Sequence, residues 1–316
     1  MIQSITIIAF AYILDLVFGD PSWLPHPVRG IGYLAQKLEM PLRKAVRNER
    51  VAGAVFGVSI IAVVYFTSFA LIHAADYFNR YLGIIVSVFF IYTSLAIKDL
   101  EVESMRVYHA LKDQDIALAR RNLGLIVGRD TKDLSELDII RATVETIAEN
   151  IVDGIIAPLF YLLLGGPALA LAYKAVNTLD SMVGYKNDRF KDFGWLSARI
   201  DDWANFIPAR VSGFILPIAS WLLGMDAISS FKAALADGKK NPSPNSGIPE
   251  AAVAGALGVR LGGLNFYNSV PMIKPIIGVN KNALSLAHIK KSIKIAYISS
   301  LLSIILVISV IYILHR

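Results

Sequence analysis

The chain contains no cysteine, only five histidines and no phosphate-binding P-loop motif among its 316 residues. The absence of cysteine excludes disulfide bonds, a thiolate nucleophile and metal sites that need cysteine ligands. The histidines show no spacing typical of a metal site, and without GxxxxGK[ST] any nucleotide site is not a P-loop. No basic segment precedes the first apolar run, so residues 1–18 are predicted to be a retained membrane span rather than a cleaved signal.

Charged residues are also scarce, at 18% of the chain, whereas apolar residues make up 55%. Soluble domains are typically about 45–50% apolar, so this composition and a mean hydropathy of +0.55 indicate a membrane protein. The net charge of +6 lies in blocks that flank apolar stretches, which is typical of membrane topology rather than of nucleic-acid binding. We therefore predict a multi-pass protein of the cell membrane, in contact with the lipid bilayer and without a nucleic-acid partner.

Four apolar stretches are long enough, or nearly so, to cross a hydrocarbon core, which needs about 20 residues. The connections 19–50 and 98–141 are rich in lysine and arginine, whereas 76–81 has a single arginine. The positive-inside rule then places the two basic connections in the cytoplasm. The predicted spans are 1–18, 51–75, 82–97 and 293–314.

A fifth apolar block, 155–176, is interrupted by Gly165-Gly166-Pro167. Each half is about 15 Å long as a helix, roughly half of a bilayer core. We predict a helical hairpin that enters and leaves on the cytoplasmic side, because a single crossing would put the basic segment 186–210 outside; an ordinary pair of spans is the alternative. The block 211–225, interrupted by Pro217, is expected to fold back similarly. The fold class predicted from these blocks is an all-α, polytopic membrane bundle with broken apolar segments.

The stretch between the third span and the hairpin is predicted to be helical and cytoplasmic, over about 98–154. Apolar residues at helical spacing over 100–127 predict a small helical hairpin, with Asp113 or Asp115 capping its second helix. Ser135 and Asp138 have the spacing of a capping box and open a further helix that ends before Gly154. We expect the whole chain, 1–316, to form one membrane-embedded domain.

This predicted helix carries an acidic stripe that points away from its apolar face. Arg141, Glu145, Glu149 and Asp153 follow one another at intervals of four residues. Like charges at this spacing repel, so three carboxylates are tolerated most easily where a cation sits among them. A solvated acidic face is the alternative interpretation.

A second polar segment, 177–210, follows the predicted hairpin. Asn177 and Asp180 can share one helical face, and Asp188 lies further along the chain. Carboxylate and amide oxygens suit Mg²⁺, a hard ion that bridges to phosphate. Basic residues that would bind an anion accompany them: Lys186, Arg189, Lys191 and Arg199. Spacing alone leaves open an Mg²⁺-dependent intramembrane prenyl or phospho-alcohol transferase, and a transporter with a re-entrant hairpin.

Two loops complete the set of candidate polar sites. In 239–250, Lys239, Lys240 and Asn245 precede a helix that Pro249 is predicted to begin. A helix N-terminus favours phosphate, although a plain proline-rich turn is the alternative. After the first span, His26 and Arg29 lie in a proline-rich loop, where His26 is either a fixed loop residue or a substrate contact.

Four motifs in this order resemble the adenosylcobinamide-phosphate synthase family of cobalamin biosynthesis. Together they cover much of the chain, and we see no clear departure from the family's pattern. They are GDPSWLPHPVRGIG at 19–32, RDTKDLSELDIIRATVETIAENIVDGIIAPLF at 129–160, AYKAVNTLDSMVGYKNDRFKDFGWLSARIDDWANFIPAR at 172–210, and NPSPNSGIPEAAVAGALGVRLGG at 241–263.

The resemblance implies an integral-membrane enzyme that amidates a propionate carboxylate of adenosylcobyric acid. The implied amine donor is (R)-1-amino-2-propanol or its O-phosphate, and the product is adenosylcobinamide or its phosphate. It also implies association with other membrane enzymes of the late pathway. Because amide formation from a free carboxylate is uphill in water, we expect activation by ATP with Mg²⁺ neutralising the phosphates. The corrinoid is a substrate rather than a cofactor.

The predicted site residues follow from this chemistry, with the site facing the cytoplasm. The amine must lose a proton, so a carboxylate with a raised pKa is expected to act as general base. Candidates for catalysis are Glu145, Glu149, Asp153 and Asp180, and candidates for Mg²⁺ are Glu149, Asp153, Asp180 and Asp188. Candidates for substrate binding are His26, Arg29, Arg129, Asn177, Lys186, Arg189, Lys191, Arg199, Lys239, Lys240 and Asn245.

Overall fold

The computed structural model describes residues 2–185, 187–267 and 269–314, with side chains from Ser4 onward. The fold is almost entirely helical, which confirms the predicted all-α class, with one small β-hairpin in addition. The helices are α1 Ile2–Phe18, α2 Pro27–Ala45, α3 Glu49–Phe78, α4 Arg80–Tyr92, α5 Ile97–Lys112, α6 Ile116–Leu123, α7 Glu136–Ile151, α8 Ala157–Val183, α9 Trp195–Ala204, α10 Phe206–Leu222, α11 Ala227–Asp237, α12 Gly247–Leu257 and α13 Ala287–Leu314; the strands are β1 Arg260–Tyr267 and β2 Val270–Gly278.

The described residues include four helical stretches that are long and apolar enough to cross a membrane. Three of them contain the predicted spans 51–75, 82–97 and 293–314, and the fourth contains the predicted hairpin block. The predicted first span is α1, which is shorter, with 17 residues. The long stretches are Glu49–Phe78, Arg80–Lys112, Glu136–Val183 and Ala287–Leu314.

The chain divides into two compact units, and the single membrane-embedded domain stays a prediction. The first unit contains Met1–Ala96, Ala157–Asn205 and Ile304–Arg316, and the second contains Ile97–Ile156 and Phe206–Ser303. In the first unit, the core forms around Phe56, whose ring lies 4.9 Å from that of Phe193. Gly53 permits this approach, because a Cβ atom there would meet the carbonyl oxygen of Phe193 at 1.7 Å.

The apolar block 155–176 is broken where the sequence predicts. Gly165 and Gly166 have non-helical dihedral angles inside α8, and Gly166 has a φ of +71°. The rings of Tyr161 and Tyr173 stack with centroids 5.1 Å apart. Twelve residues of straight helix would separate them by about 18 Å, so the two halves of α8 fold back on each other. The prediction of a helical hairpin is therefore confirmed, whereas the side of the membrane from which it enters stays a prediction.

The second unit begins with the predicted helical hairpin, formed by α5 and α6. Asp115 caps α6 by accepting a hydrogen bond from the backbone N–H of Leu118 at 2.8 Å. The predicted capping box also forms at the start of α7, where Ser135 and Asp138 bond each other's backbone N–H groups. A π-helical turn, Val152–Ile156, follows α7. Local sequence signals thus specify these helix ends correctly.

The prediction that 211–225 folds back is wrong, because α10 continues through Pro217 to Leu222. A single proline removes one backbone hydrogen bond and bends a helix, but it does not reverse the chain as the two non-helical glycines of α8 do. The helix α12 begins at Gly247 and has Pro249 in its first turn, as predicted. Beyond it, β1 and β2 form an antiparallel hairpin with an irregularity between Leu261 and Gly263.

Candidate functional site

Four charged side chains come together in the second compact unit. They are Arg129 from the loop before α7, Glu145 from α7, Glu250 from α12 and Lys274 from β2, and we call them the charge cluster. The exposed fraction of the side chain is 6% for Arg129, 1% for Glu145, 1% for Glu250 and 16% for Lys274. Burying charge is costly unless each group is paired, so the pairing within the cluster decides what each residue can do.

Arg129 and Glu145 form a fully bonded pair. Arg129 Nη2 donates to Glu145 Oε2 at 2.6 Å, and the backbone N–H of Gly262 donates to Glu145 Oε1 at 2.8 Å. The other guanidinium nitrogen, Nη1, donates to Asn265 Oδ1 at 2.6 Å. Both carboxylate oxygens of Glu145 are therefore occupied by donors from within the protein. This pairing suits a residue that fixes local structure better than one that accepts a proton.

The β-hairpin is held to α7 by two further contacts of Arg141. Its guanidinium donates to the carbonyl oxygens of Gly262 at 2.5 Å and Leu264 at 2.9 Å. Gly262 has a φ of +91°, and a Cβ atom there would lie 2.2 Å from the carbonyl oxygen of Pro275. A side chain at this position would displace the strand, so glycine is required for the N–H of residue 262 to reach Glu145.

Glu250 and Lys274 are less completely bonded. Asn241 Nδ2 donates to Glu250 Oε2 at 3.2 Å, while Lys274 Nζ lies 3.8 Å from Glu250 Oε1. Among the described residues, Glu250 Oε1 has no hydrogen-bond partner although it is buried. Burial raises the pKa of Glu250 to about 8, with Glu145 and Glu149 acting in the same direction and Lys274 opposing them. Glu250 is therefore the cluster's carboxyl group best suited to exchange a proton near neutral pH.

Lys274 remains a cation in this environment. Burial disfavours its charged form, but the neighbouring carboxylates Glu250, Glu145 and Glu149 outweigh that effect and raise the pKa of the ammonium. Glu149 itself is exposed. Its negative charge favours the protonated form of Glu250 and the charged form of Lys274.

The residues of the predicted acidic stripe do not form a single set of metal ligands in the structure. Arg141 and Glu145 hold the β-hairpin, Glu149 is exposed, and Asp153 lies within the π-helical turn, which changes the register of the face. No group of three or more histidine, aspartate or glutamate side chains that could hold a metal occurs in the part of the chain that the structure describes. Binding of Mg²⁺ stays a prediction from the chemistry of ATP.

The loop 239–250 also belongs to the second unit. Lys240 forms an ion pair with Asp237 at 2.6 Å, while Lys239 is exposed. Asn245 is buried and accepts a hydrogen bond from Arg210 at 3.0 Å. The loop thus presents two exposed lysines before the start of α12, of which Lys240 is paired with Asp237. The role of the loop in binding a phosphorylated donor stays a prediction.

The remaining candidates lie in the first unit, where the loop 19–26 is internally bonded. His26 caps α2, because its Nδ1 accepts from the N–H of Val28 at 3.2 Å, and its Nε2 lies 3.2 Å from Asp20 Oδ1. Arg29 donates to the carbonyl oxygens of Ser22 at 2.8 Å and Pro21 at 3.3 Å. These contacts support the interpretation of His26 as a fixed loop residue.

The second polar segment is also largely paired within the first unit. Arg189 pairs with Glu39 at 3.0 Å and Lys191 with Asp188 at 3.0 Å, while Arg199 is exposed on α9. Asn177 and Asp180 are half-buried on the same helix, α8, as predicted. Lys186 lies outside the described residues. The structure thus brings Arg129 and Glu145 together, and it assigns Asn177, Asp180 and Asp188 to the other compact unit.

Sequence reasoning missed Glu250, Lys274 and Asn265. Each is a polar residue within an otherwise apolar run, as in GIPEAAVAGAL and VPMIKPIIG. A lone charge in such a run is expensive to bury and signals a specific partner. That signal was present in the sequence, but the identity of the partner was not.

Comparison with known proteins agrees with the motifs. The family model described as CobD/Cbib protein matches residues 8–296. A cobalamin biosynthesis protein CobD of Geobacter metallireducens is 50% identical over 278 residues, covering 88% of this chain and 87% of the relative. A protein of the same name from Leptospira interrogans is 45% identical over 298 residues, covering 94% and 95%. No solved structure matches the chain. With nearly its whole length matched by the family model, the chain belongs to the CobD/Cbib family.

Proposed function

We propose that this protein acts in cobalamin biosynthesis as a membrane enzyme that forms an amide bond. The bond joins a propionate carboxylate of adenosylcobyric acid to (R)-1-amino-2-propanol O-phosphate, or to the free amino alcohol. The observation that carries the proposal is membership of the CobD/Cbib family over residues 8–296, with relatives named as cobalamin biosynthesis proteins. The apolar helices support a place in the cell membrane, and the basic connections support a site that faces the cytoplasm.

The reaction needs an energy source and a proton acceptor. A carboxylate oxygen attacks the γ-phosphorus of ATP, ADP leaves, and an acyl phosphate forms. The amine nitrogen then attacks the acyl carbon, and phosphate leaves with the electron pair of the broken C–O bond. The nitrogen gives up a proton to a base, which completes the amide.

The charge cluster offers a candidate for that base. Glu250 Oε1 is buried without a hydrogen-bond partner among the described residues, and a lysine ammonium lies 3.8 Å away. Its raised pKa lets it accept a proton and release it again near neutral pH. Lys274 stabilises the carboxylate form, and the bonded pair of Arg129 and Glu145 holds the surrounding backbone. This role replaces the one expected for Glu145, whose two oxygens are already bonded.

The experiment is a turnover assay with purified protein, adenosylcobyric acid, ATP and each amine donor. We expect ATP-dependent formation of adenosylcobinamide or its phosphate. No amide product with either donor would refute the function. Turnover of an isoprenoid diphosphate instead would favour the prenyltransferase alternative.

A variant pair tests the role of Glu250 separately. Glu250→Gln keeps the shape of the side chain but cannot accept the proton, so we expect kcat to fall at least tenfold, about 1.4 kcal/mol in barrier. Glu136→Gln removes the same charge from an exposed position on α7 and should leave turnover unchanged. Wild-type kcat in Glu250→Gln would exclude the residue as base without affecting the proposed reaction.

A further inference from the structure

An apolar groove of about 390 Å³ lies between α1 and α4 in the first compact unit. Leu14 and Phe18 line it from α1, and Ile85 and Val88 line it from α4, and no charged side chain contributes to its walls. Phe18 and Ile85 are 62% and 63% exposed, so the groove opens outward. An open apolar surface of this kind is unfavourable in water, but its helices are among the apolar elements of a membrane protein. The surrounding medium therefore favours an apolar occupant.

Where α1 ends, the groove is lined by a loop that carries an exposed tryptophan and binds an arginine side chain. Pro21, Trp23 and Leu24 of the loop after α1 also line the groove, and Trp23 is 77% exposed. Exposed tryptophan is characteristic of the membrane–water interface. Arg29 is anchored here, because its guanidinium donates to the carbonyl oxygens of Pro21 and Ser22. A cation thus sits where the apolar groove meets the interface.

The guanidinium of Arg29 has N–H donors that its two backbone contacts do not use. It carries five N–H donors, and two of its nitrogens bond backbone carbonyl oxygens. Among the residues that the structure describes, no carboxylate forms an ion pair with it, because the neighbouring Asp20 lies against His26 at 3.2 Å. Arg29 is also exposed. An anion that approaches from the interface would therefore find unused donors.

We propose that this groove binds one phospholipid molecule, with an acyl chain along α1 and α4 and its phosphate group on Arg29. An apolar channel that ends at an exposed cation and an interfacial tryptophan matches an amphiphile with an anionic head. It does not match a corrinoid, whose periphery carries many amide groups. The site goes beyond the proposed amide synthesis and assigns Arg29 to a lipid instead of a substrate.

Native mass spectrometry of the purified protein tests the site. We expect the wild type to retain one phospholipid at a detergent concentration that removes the lipid around the helices. Arg29→Gln should weaken retention at least tenfold, and Arg29→Lys should restore part of it, because lysine keeps the charge. Val88→Phe, which fills the groove, should also weaken retention tenfold or more.

Two matched variants control for charge and bulk. Arg47→Gln removes an exposed arginine near the end of α2, and Val63→Phe enlarges an exposed side chain of α3 that does not line the groove. Both should retain the lipid as the wild type does, with all variants matched for thermal midpoint. Unchanged retention in Arg29→Gln, or an equal loss in Arg47→Gln, would overturn the proposal.

Discussion

Arg129 Nη2 lies 2.6 Å from Glu145 Oε2, and the side chains of the pair are 6% and 1% exposed. The two residues are separated by sixteen positions in the chain, and each neutralises the other's charge in a buried site. Breaking a buried pair leaves one uncompensated charge, which costs more than the pair itself contributes. This relationship leads to a prediction about stability that does not depend on the proposed reaction.

Arg129→Met or Glu145→Leu alone should lower the free energy of unfolding by about 3–5 kcal/mol. The double variant should lose much less than the sum of the two, because no charge is left unpaired. Denaturant titration in detergent measures both. Arg50→Gln is the control, since Arg50 and Asp192 form an exposed pair and such pairs contribute about 0–1 kcal/mol. Additive losses at Arg129 and Glu145 would contradict the pairing.

Glu149→Gln should shift the pH dependence of turnover toward lower pH. Burial is the main cause that raises the pKa of Glu250 to about 8, and the negative charge of Glu149 adds to it. Removing that charge lowers the pKa, so the active carboxylate form of Glu250 appears at lower pH. A pH profile of kcat measures the shift, with the plateau at high pH unchanged. A tenfold loss at every pH, reversed by added Mg²⁺, would instead support the metal role predicted for Glu149.

Glu250→Gln should also change how stability depends on pH. The pKa of Glu250 is raised in the folded state from 4.5 to about 8. Its contribution to stability is therefore fully present below pH 4.5 and is lost as the pH rises through about 8. The wild type should lose stability between these values more steeply than Glu250→Gln does. Thermal midpoints at pH 6 and pH 9 test this, and parallel slopes for the two proteins would show that Glu250 does not titrate there.

Gly166→Ala should destabilise the hairpin of α8. Gly166 has a φ of +71° and a ψ of −167°, a region almost restricted to glycine. Alanine there costs about 1–3 kcal/mol, seen as a lower thermal midpoint. Gly30→Ala is the control, because Gly30 lies within α2 and nothing would contact an added Cβ atom. That change should be neutral or stabilising, and an equal loss in both variants would argue against the backbone explanation.

Cysteine labelling can test the orientation, because the chain has no cysteine of its own. Lys112→Cys and Arg199→Cys occupy exposed positions and should be protected from an impermeant reagent in intact cells. Asn79→Cys, also exposed, should react. Ser104 and Ser197 are unsuitable probes, since both are buried and would be protected on either side. Labelling at residue 199 from outside would reject a cytoplasmic location for that segment.

Helix ends were predictable because their signals are local. The capping box of Ser135 and Asp138, the cap at Asp115 and the break at Gly165-Gly166 each involve residues a few positions apart. The β-hairpin was missed, because its glycines and prolines resemble a loop and its contacts join it to α7 more than a hundred residues earlier. Only two of the four residues of the charge cluster were predicted, because the other two are brought to it by contacts between distant parts of the chain. Arg129 and Glu145 lie in one motif, whereas the pairing of Glu250 with Lys274 depends on the tertiary fold.

Mutations should affect the two halves of the β-hairpin differently, because the N–H of Gly262 at its base donates a hydrogen bond to Glu145. At its base, Gly262 and Gly263 have positive φ angles, and an added Cβ atom would meet the carbonyl oxygen of Pro275 at residue 262 and the guanidinium of Arg141 at residue 263. Most replacements there should therefore disturb the contacts that hold the hairpin to α7. Near its turn, Val270, Met272 and Ile273 are exposed, so other side chains can be accommodated there. Sequence differences among members of this family should therefore be concentrated near the turn of the hairpin, while the residues at its base should be nearly invariant.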